Sequence, residues 1–163
     1  MIHPILTLPE IKLVGITART SNHLESNPAT AQIGATWQRF RKEDVQAQLL
    51  ERRNPGKVFS VYTDYESNEH GTYTYFLGEE VTAFTQGKHP SLATLALPAQ
   101  RYVKFTSATG PLPGVVIDLW QRIWRMRAEE LGGQRAYIAD FEVYGVESQN
   151  PHHATVDLYL GIK

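Results

Sequence analysis

Asp140-Phe141-Glu142-Val143-Tyr144 lies inside an apolar run, residues 137–146, whose β-branched and aromatic side chains predict a strand. Glu142 stands out in it. A carboxylate among residues that favour burial is costly to desolvate unless a partner meets it. Two placements are open from the local sequence: an edge strand that turns Glu142 to water, or a buried acid awaiting a partner. A similar cluster earlier in the chain, Asp64-Tyr65-Glu66, shifts the balance towards the second.

Working outward, the element pattern occurs twice. Leu8-Pro9 precedes a strand at residues 12–20, where Val14, Ile16 and Ala18 alternate with Gly15, Thr17 and Arg19. Asn27-Pro28 reads as a helix start. Ile33, Trp37 and Phe40 follow at helical spacing, and Val45, Leu49 and Leu50 continue or restart that helix until Asn54-Pro55-Gly56 stops it. Strands at 57–66 and 72–81 form a hairpin. Gly87-Lys88-His89-Pro90 then breaks the chain and the order restarts. Leu97-Pro98 opens a strand at 101–109, a helix spans 114–131 up to Gly132-Gly133, and strands cover 137–146 and 155–162.

The halves match in order. Pro9, Lys12, Val14, Thr17 and Thr20 align with Pro98, Arg101, Val103, Thr106 and Thr109. Trp37-Gln38-Arg39-Phe40 aligns with Trp120-Gln121-Arg122-Ile123, Asp64-Tyr65-Glu66 with Asp140-Phe141-Glu142, and Phe76-Leu77-Gly78 with Tyr159-Leu160-Gly161. We read an internal duplication. The expected fold is α+β: one domain over residues 1–163, with repeats at about 8–82 and 97–163. Each repeat is a strand-helix-strand-strand unit, and together they build an antiparallel sheet with two main helices and a ligand cleft at the pseudo-twofold axis.

Bulk properties narrow the function. The 163 residues are 42% hydrophobic, enough for a buried core, and the formal net charge of −1 is a poor footprint for direct nucleic-acid binding. There is no cysteine, so neither a disulfide nor a thiolate metal site is possible. Adjacent His152 and His153 tend to point apart, and no metal or cofactor is expected. The start, Met1-Ile2-His3-Pro4-Ile5, lacks the basic-then-apolar order of a signal peptide. No apolar run approaches the roughly 18–20 residues of a membrane span, so a cytoplasmic protein is expected. Glu66 and the basic residues Arg122, Arg125 and Arg127 read as solvated.

The order of elements, together with Asp140-Phe141-Glu142-Val143-Tyr144, Asn150-Pro151 and Val156-Asp157-Leu158-Tyr159-Leu160-Gly161-Ile162, resembles the effector-binding domain of the gyrase-inhibitor-like (GyrI-like) superfamily. That domain is also found in AraC-type and MerR-type multidrug-responsive transcription regulators. The resemblance runs from about Leu8 to Lys163, and stand-alone relatives on mobile gene cassettes are similar in size. It implies capture of lipophilic cations by a glutamate in an aromatic pocket. Carried over by motif position, the glutamate is Glu142, and Tyr159 matches the tyrosine of the last strand. Trp37, Trp120 and Tyr75 are candidate walls from the repeat and the helix stripes. Almost no sequence precedes the first strand, so a one-chain regulator with its own DNA-binding module is not expected. A separate protein partner would receive any signal. A binding module is favoured over two alternatives: a hydrolase using Glu142 as general base, and a gyrase-modulating protein.

Overall fold

The computed structural model describes residues 3–84 and 91–163. The Gly87-Lys88-His89-Pro90 break and the first two residues lie outside them. In chain order the elements are β1 (Ile5–Leu8), β2 (Ile11–Ser21), α1 (Asn22–Glu25), α2 (Ile33–Lys42), β3 (Val58–Thr63), β4 (Thr72–Glu80), β5 (Ala93–Leu97), β6 (Gln100–Thr106), α3 (Gly114–Trp124), α4 (Ala128–Leu131), β7 (Ala139–Tyr144) and β8 (Asp157–Ile162).

The eight strands form one curled antiparallel sheet in the order β1-β6-β8-β7-β3-β4-β2-β5. The order reads the same from either edge once each strand is exchanged for its counterpart in the other half. β3 and β7 meet at the centre. At the rims the halves exchange strands: β1 pairs with β6, and β5 pairs with β2. Pro9 and Pro98 sit where each rim strand turns into the next, as expected for a residue that cannot donate to a ladder. The two rim strands were not foreseen as strands. They are four and five residues long, too short for alternation to show.

Period two divides the side chains. One face of the sheet carries α2 and α3, over two clusters that share Tyr62 and Tyr144. The other face packs on itself through Leu13, Phe59, Val61, Phe76, Tyr102 and Phe141, drawn from both halves. The helices are seated unequally. α3 buries Val115, Val116, Leu119, Trp120 and Ile123, whereas α2 buries only Thr36 and Phe40.

Three expectations need correction. The first main helix does not begin at Asn27-Pro28. Residues 27–30 form a turn, and Glu25 caps α2 instead, its carboxylate accepting from the backbone N–H of Gln32 at 2.7 Å and of Ile33 at 3.1 Å. An acid at this end also suits the helix dipole. Of the two courses open at its far end, the helix does not continue: Asp44 adopts a left-handed φ of 48°, and a single 3₁₀ turn, Val45–Gln48, restarts beyond it. The 114–131 helix is two: α3 stops at Trp124, and α4 runs to Leu131 before Gly132 ends it at φ 85°. Finally, Asp64-Tyr65-Glu66 follows the last residue of β3, whereas Asp140-Phe141-Glu142 lies within β7. Ser60 is the residue facing Glu142 across the central pair.

Gly15 and Gly78 face each other where β2 meets β4. A Cβ on Gly78 would collide with the Val14 carbonyl oxygen, and one on Gly15 with that of Leu77. Gly78→Val is therefore expected to destabilise the fold by about 1–3 kcal/mol or more. Thermal unfolding checks this, and an unchanged Tm would contradict the close approach.

Candidate ligand-binding site

Alternation along the two central strands turns Ser60 and Tyr62 of β3, and Asp140, Glu142 and Tyr144 of β7, towards the helices. Glu142 is 1% exposed. Its carboxylate is not bare. Tyr62 donates its hydroxyl to Oε2 at 2.7 Å, the Trp120 indole N–H donates to the same oxygen at 2.7 Å, and the Tyr144 hydroxyl donates to Oε1 at 2.6 Å. Beside them the Ser60 and Tyr75 hydroxyls share a hydrogen bond of 2.6 Å. The donors come from β3, β7 and α3, so all three elements must dock before the shell closes.

Rings fill the seam. Tyr62 meets Trp120 edge-on at 5.2 Å between centroids, and Tyr75 at 5.4 Å. Trp37 stands edge-on to Tyr144 at 4.9 Å, with the Arg41 guanidinium over its ring at 5.3 Å. These packings suit aromatic quadrupoles, which prefer edge-to-face geometry.

The electrostatics follow from burial. Desolvation pushes the Glu142 carboxyl above the usual range, while hydrogen bonds from Trp120, Tyr144 and Tyr62 pull it down without cancelling the rise. Burial first, and the Glu142 charge second, hold the Tyr62, Tyr75 and Tyr144 phenols well above their ordinary value. They stay protonated, and therefore stay donors.

Asp140, two residues away on the same face, is equally buried but differently satisfied. Arg135 approaches at 2.8 Å, the Tyr65 hydroxyl at 2.5 Å, and the Gly161 N–H at 2.7 Å. Glu79, also fully buried, takes both Nε and Nη2 of Arg52. Arg135 stacks over Tyr137, whose phenol is pushed up to about 12 mainly by burial. Of these three buried acids, Glu142 alone enters none of the ion pairs found among the described residues.

The structure thus brings together Glu142, Trp120 and Tyr75, with Trp37 at the edge. It does not bring Tyr159 to them. Tyr159 is opposite Phe141 in the β7–β8 ladder and stacks on that ring at 4.8 Å, so it points to the other face, and Leu158 is the residue opposite Glu142. Tyr62 and Tyr144 were not anticipated. Tyr144 carried a signal, because it lies two positions from Glu142 on one strand; Tyr62 is 80 residues away and needed the register. The picture of a carboxylate without a partner is corrected as well. Three donors hold Glu142, and two surface cavities of about 530 and 580 Å³ lie elsewhere, lined around Thr63 and Thr74 and around Trp124 and Arg135. Glu66 is exposed, as are Arg122, Arg125 and Arg127. Among the described residues no group of His, Asp or Glu is arranged to hold a metal, and no helix is long and apolar enough to cross a membrane.

The arrangement has relatives. A Bacillus subtilis (strain 168) protein, YobU, named provisionally as a transcriptional regulator, is 31% identical over 154 residues, covering 93% of this chain and 92% of its own length. The crystal structure of the integron cassette protein VCH_CASS2, from the mobile metagenome of Vibrio cholerae, superposes with a TM-score of 0.73 at 28% identity, covering 98% of this chain and 95% of that one. SAV2435, solved bound to tetraphenylphosphonium, shares the fold with a TM-score of 0.77 at 18% identity, covering 100% and 94%. The sequence model of the Cass2 family matches residues 4–162. The chain belongs to that family, the integron-associated effector binding proteins.

Proposed function

We propose that this protein captures lipophilic cationic small molecules in the aromatic seam between α2 and α3, with Glu142 supplying the counter-charge. One observation carries the reading: a carboxylate 1% exposed, ringed by Tyr62, Tyr75, Tyr144 and Trp120, with hydrogen-bond donors but no ion pair among the described residues. Such a group is desolvated already, so an arriving cation meets a negative charge in a poorly screened space. Each aromatic face adds about 0.5–2 kcal/mol of cation–π attraction. Flat rings tolerate varied ligand shapes, which favours recognition of charge and apolarity over one molecule. The tetraphenylphosphonium complex of SAV2435 is a precedent for such a ligand on this fold.

Entry follows the weaker wall. α2 is held by two buried side chains against the five of α3, and its Trp37 covers Tyr144. Outward movement of α2 and Trp37 opens the seam while β3, β7 and α3 keep their places. A general-base role for Glu142 is less well supported, since protein donors already occupy the oxygens that would activate water. Whether the captured molecule is sequestered or signalled to a separate protein, the primary event is the same.

The test is a titration with two lipophilic dyes of like shape, one cationic and one neutral. The cationic dye is expected to bind at least ten-fold more tightly, and Glu142→Gln to abolish that margin, a difference of about 1.4 kcal/mol or more. Equal binding of the two dyes, or a margin untouched by Glu142→Gln, would overturn the proposal.

A pH dependence follows from the raised Glu142 carboxyl. Below the ordinary carboxylate pKa both the folded and unfolded states hold this proton. As pH rises past that value the unfolded chain releases it first, so stability falls until the folded carboxyl also ionises, and the penalty is complete above that point. Wild type is expected to lose thermal stability relative to Glu142→Gln across this window, while its affinity for the cationic dye grows. Parallel stability profiles for the two proteins would contradict it.

A further inference from the structure

The hydrogen-bond shell of Glu142 restricts which cations suit it. An ionised carboxylate offers about four lone-pair sites. Tyr62 and Trp120 take both sites on Oε2, Tyr144 takes one on Oε1, and Ser60 faces the group across the central pair. The donors sit on the central strands and on the more deeply seated helix. Tyr62 and Tyr144 project from the two central strands, and Trp120 is 8% exposed in the α3 core beside Leu119 and Ile123. Tyr62 is wedged edge-on among Tyr73, Tyr75 and Trp120. The carboxylate therefore presents charge to the seam and almost no free acceptor.

We propose that this nearly filled shell makes the site select cations that have no N–H to donate, such as quaternary ammonium and phosphonium compounds, over protonated primary amines, and that Tyr62 sets the preference. The inference rests on the charge-capture reading above. A protonated amine brings N–H groups that water had satisfied. In the seam it finds phenol oxygens, which are weaker acceptors than a carboxylate, and at most one carboxylate site. A buried donor left short of a partner costs enough to lower affinity about ten-fold. A fully alkylated cation loses nothing of this kind and keeps the charge and ring attraction. Tyr62→Phe removes one donor without changing the ring packing, returns an acceptor site on Oε2, and should welcome the N–H cation.

The experiment compares (4-phenylbenzyl)trimethylammonium with 4-phenylbenzylamine in its protonated form, whose three N–H groups outnumber the one acceptor site left on the carboxylate, by calorimetry at a pH that keeps the amine charged. Wild type is expected to favour the trimethyl compound about ten-fold or more. The ratio should shrink several-fold in Tyr62→Phe and, independently, in Tyr144→Phe, each checked for folding by circular dichroism. Using both variants keeps the test decisive if one fails to fold. Should both fail, the wild-type ratio alone decides. Equal binding of the two compounds, with Glu142→Gln still abolishing it, overturns this inference and leaves charge capture standing. A wild-type preference that persists unchanged in the folded variants also overturns it. Failure of both compounds to bind, or binding indifferent to Glu142→Gln, removes charge capture and the inference together.

Discussion

The fold closes around a buried acid that forms no ion pair among the described residues. Glu142 is withdrawn from water at the centre of the sheet, and it is tolerated there because two phenols and an indole turn their polar hydrogens inward. Neutral donors lessen the desolvation cost without cancelling the charge. Asp140, one pleat away, shows the alternative: a guanidinium, a phenol and a backbone N–H lock it as part of the framework. The same strand face thus holds one acid in an ion pair and another met by neutral donors alone among the described residues. Breaking a buried pair such as Arg135–Asp140 is strongly destabilising, which suits a structural role for Asp140 and sets Glu142 apart.

The sheet order explains why the site sits where it does. β3 and β7 are neighbours at the midpoint, and the halves trade their rim strands, so neither half presents a complete sheet without the other. Side chains on the central pair are reached by both helices, and Tyr62 and Tyr144 belong to both helix-side clusters. The two halves share one frame of elements but differ in how firmly each helix is held. The well-seated α3 contributes a donor to Glu142, while the lightly seated α2 contributes a cover.

Much of this was legible in the chain. Alternation located six strands, helical spacing of apolar residues located both main helices, and the misfit of Glu142 in an apolar run singled out the acid. What failed did so for physical reasons. Rim strands of four or five residues carry too little pattern. The start of α2 is fixed by Glu25, a residue seven positions before the capped amide of Gln32, which no local cap signal announces. The repeat match of Asp64 with Asp140 compared a residue beyond a strand end with one inside a strand, because similar letters need not share a register. Tyr159 was assigned to the pocket by motif position, yet parity on β8 sends it to the opposite face. Tyr62 became visible only once β3 was laid beside β7.

The central claim is that Glu142 holds an available charge in a dry site. Carbon-13 NMR of the glutamate side-chain carboxyls, assigned with Glu142→Gln and followed through a pH titration with and without tetraphenylphosphonium, measures this directly. The account predicts a carboxyl that titrates above the ordinary glutamate range in the free protein, because burial disfavours its charge, and that moves to lower pH when the cation is bound. A Glu142 resonance that titrates like an exposed glutamate, or that ignores the cation, would contradict it.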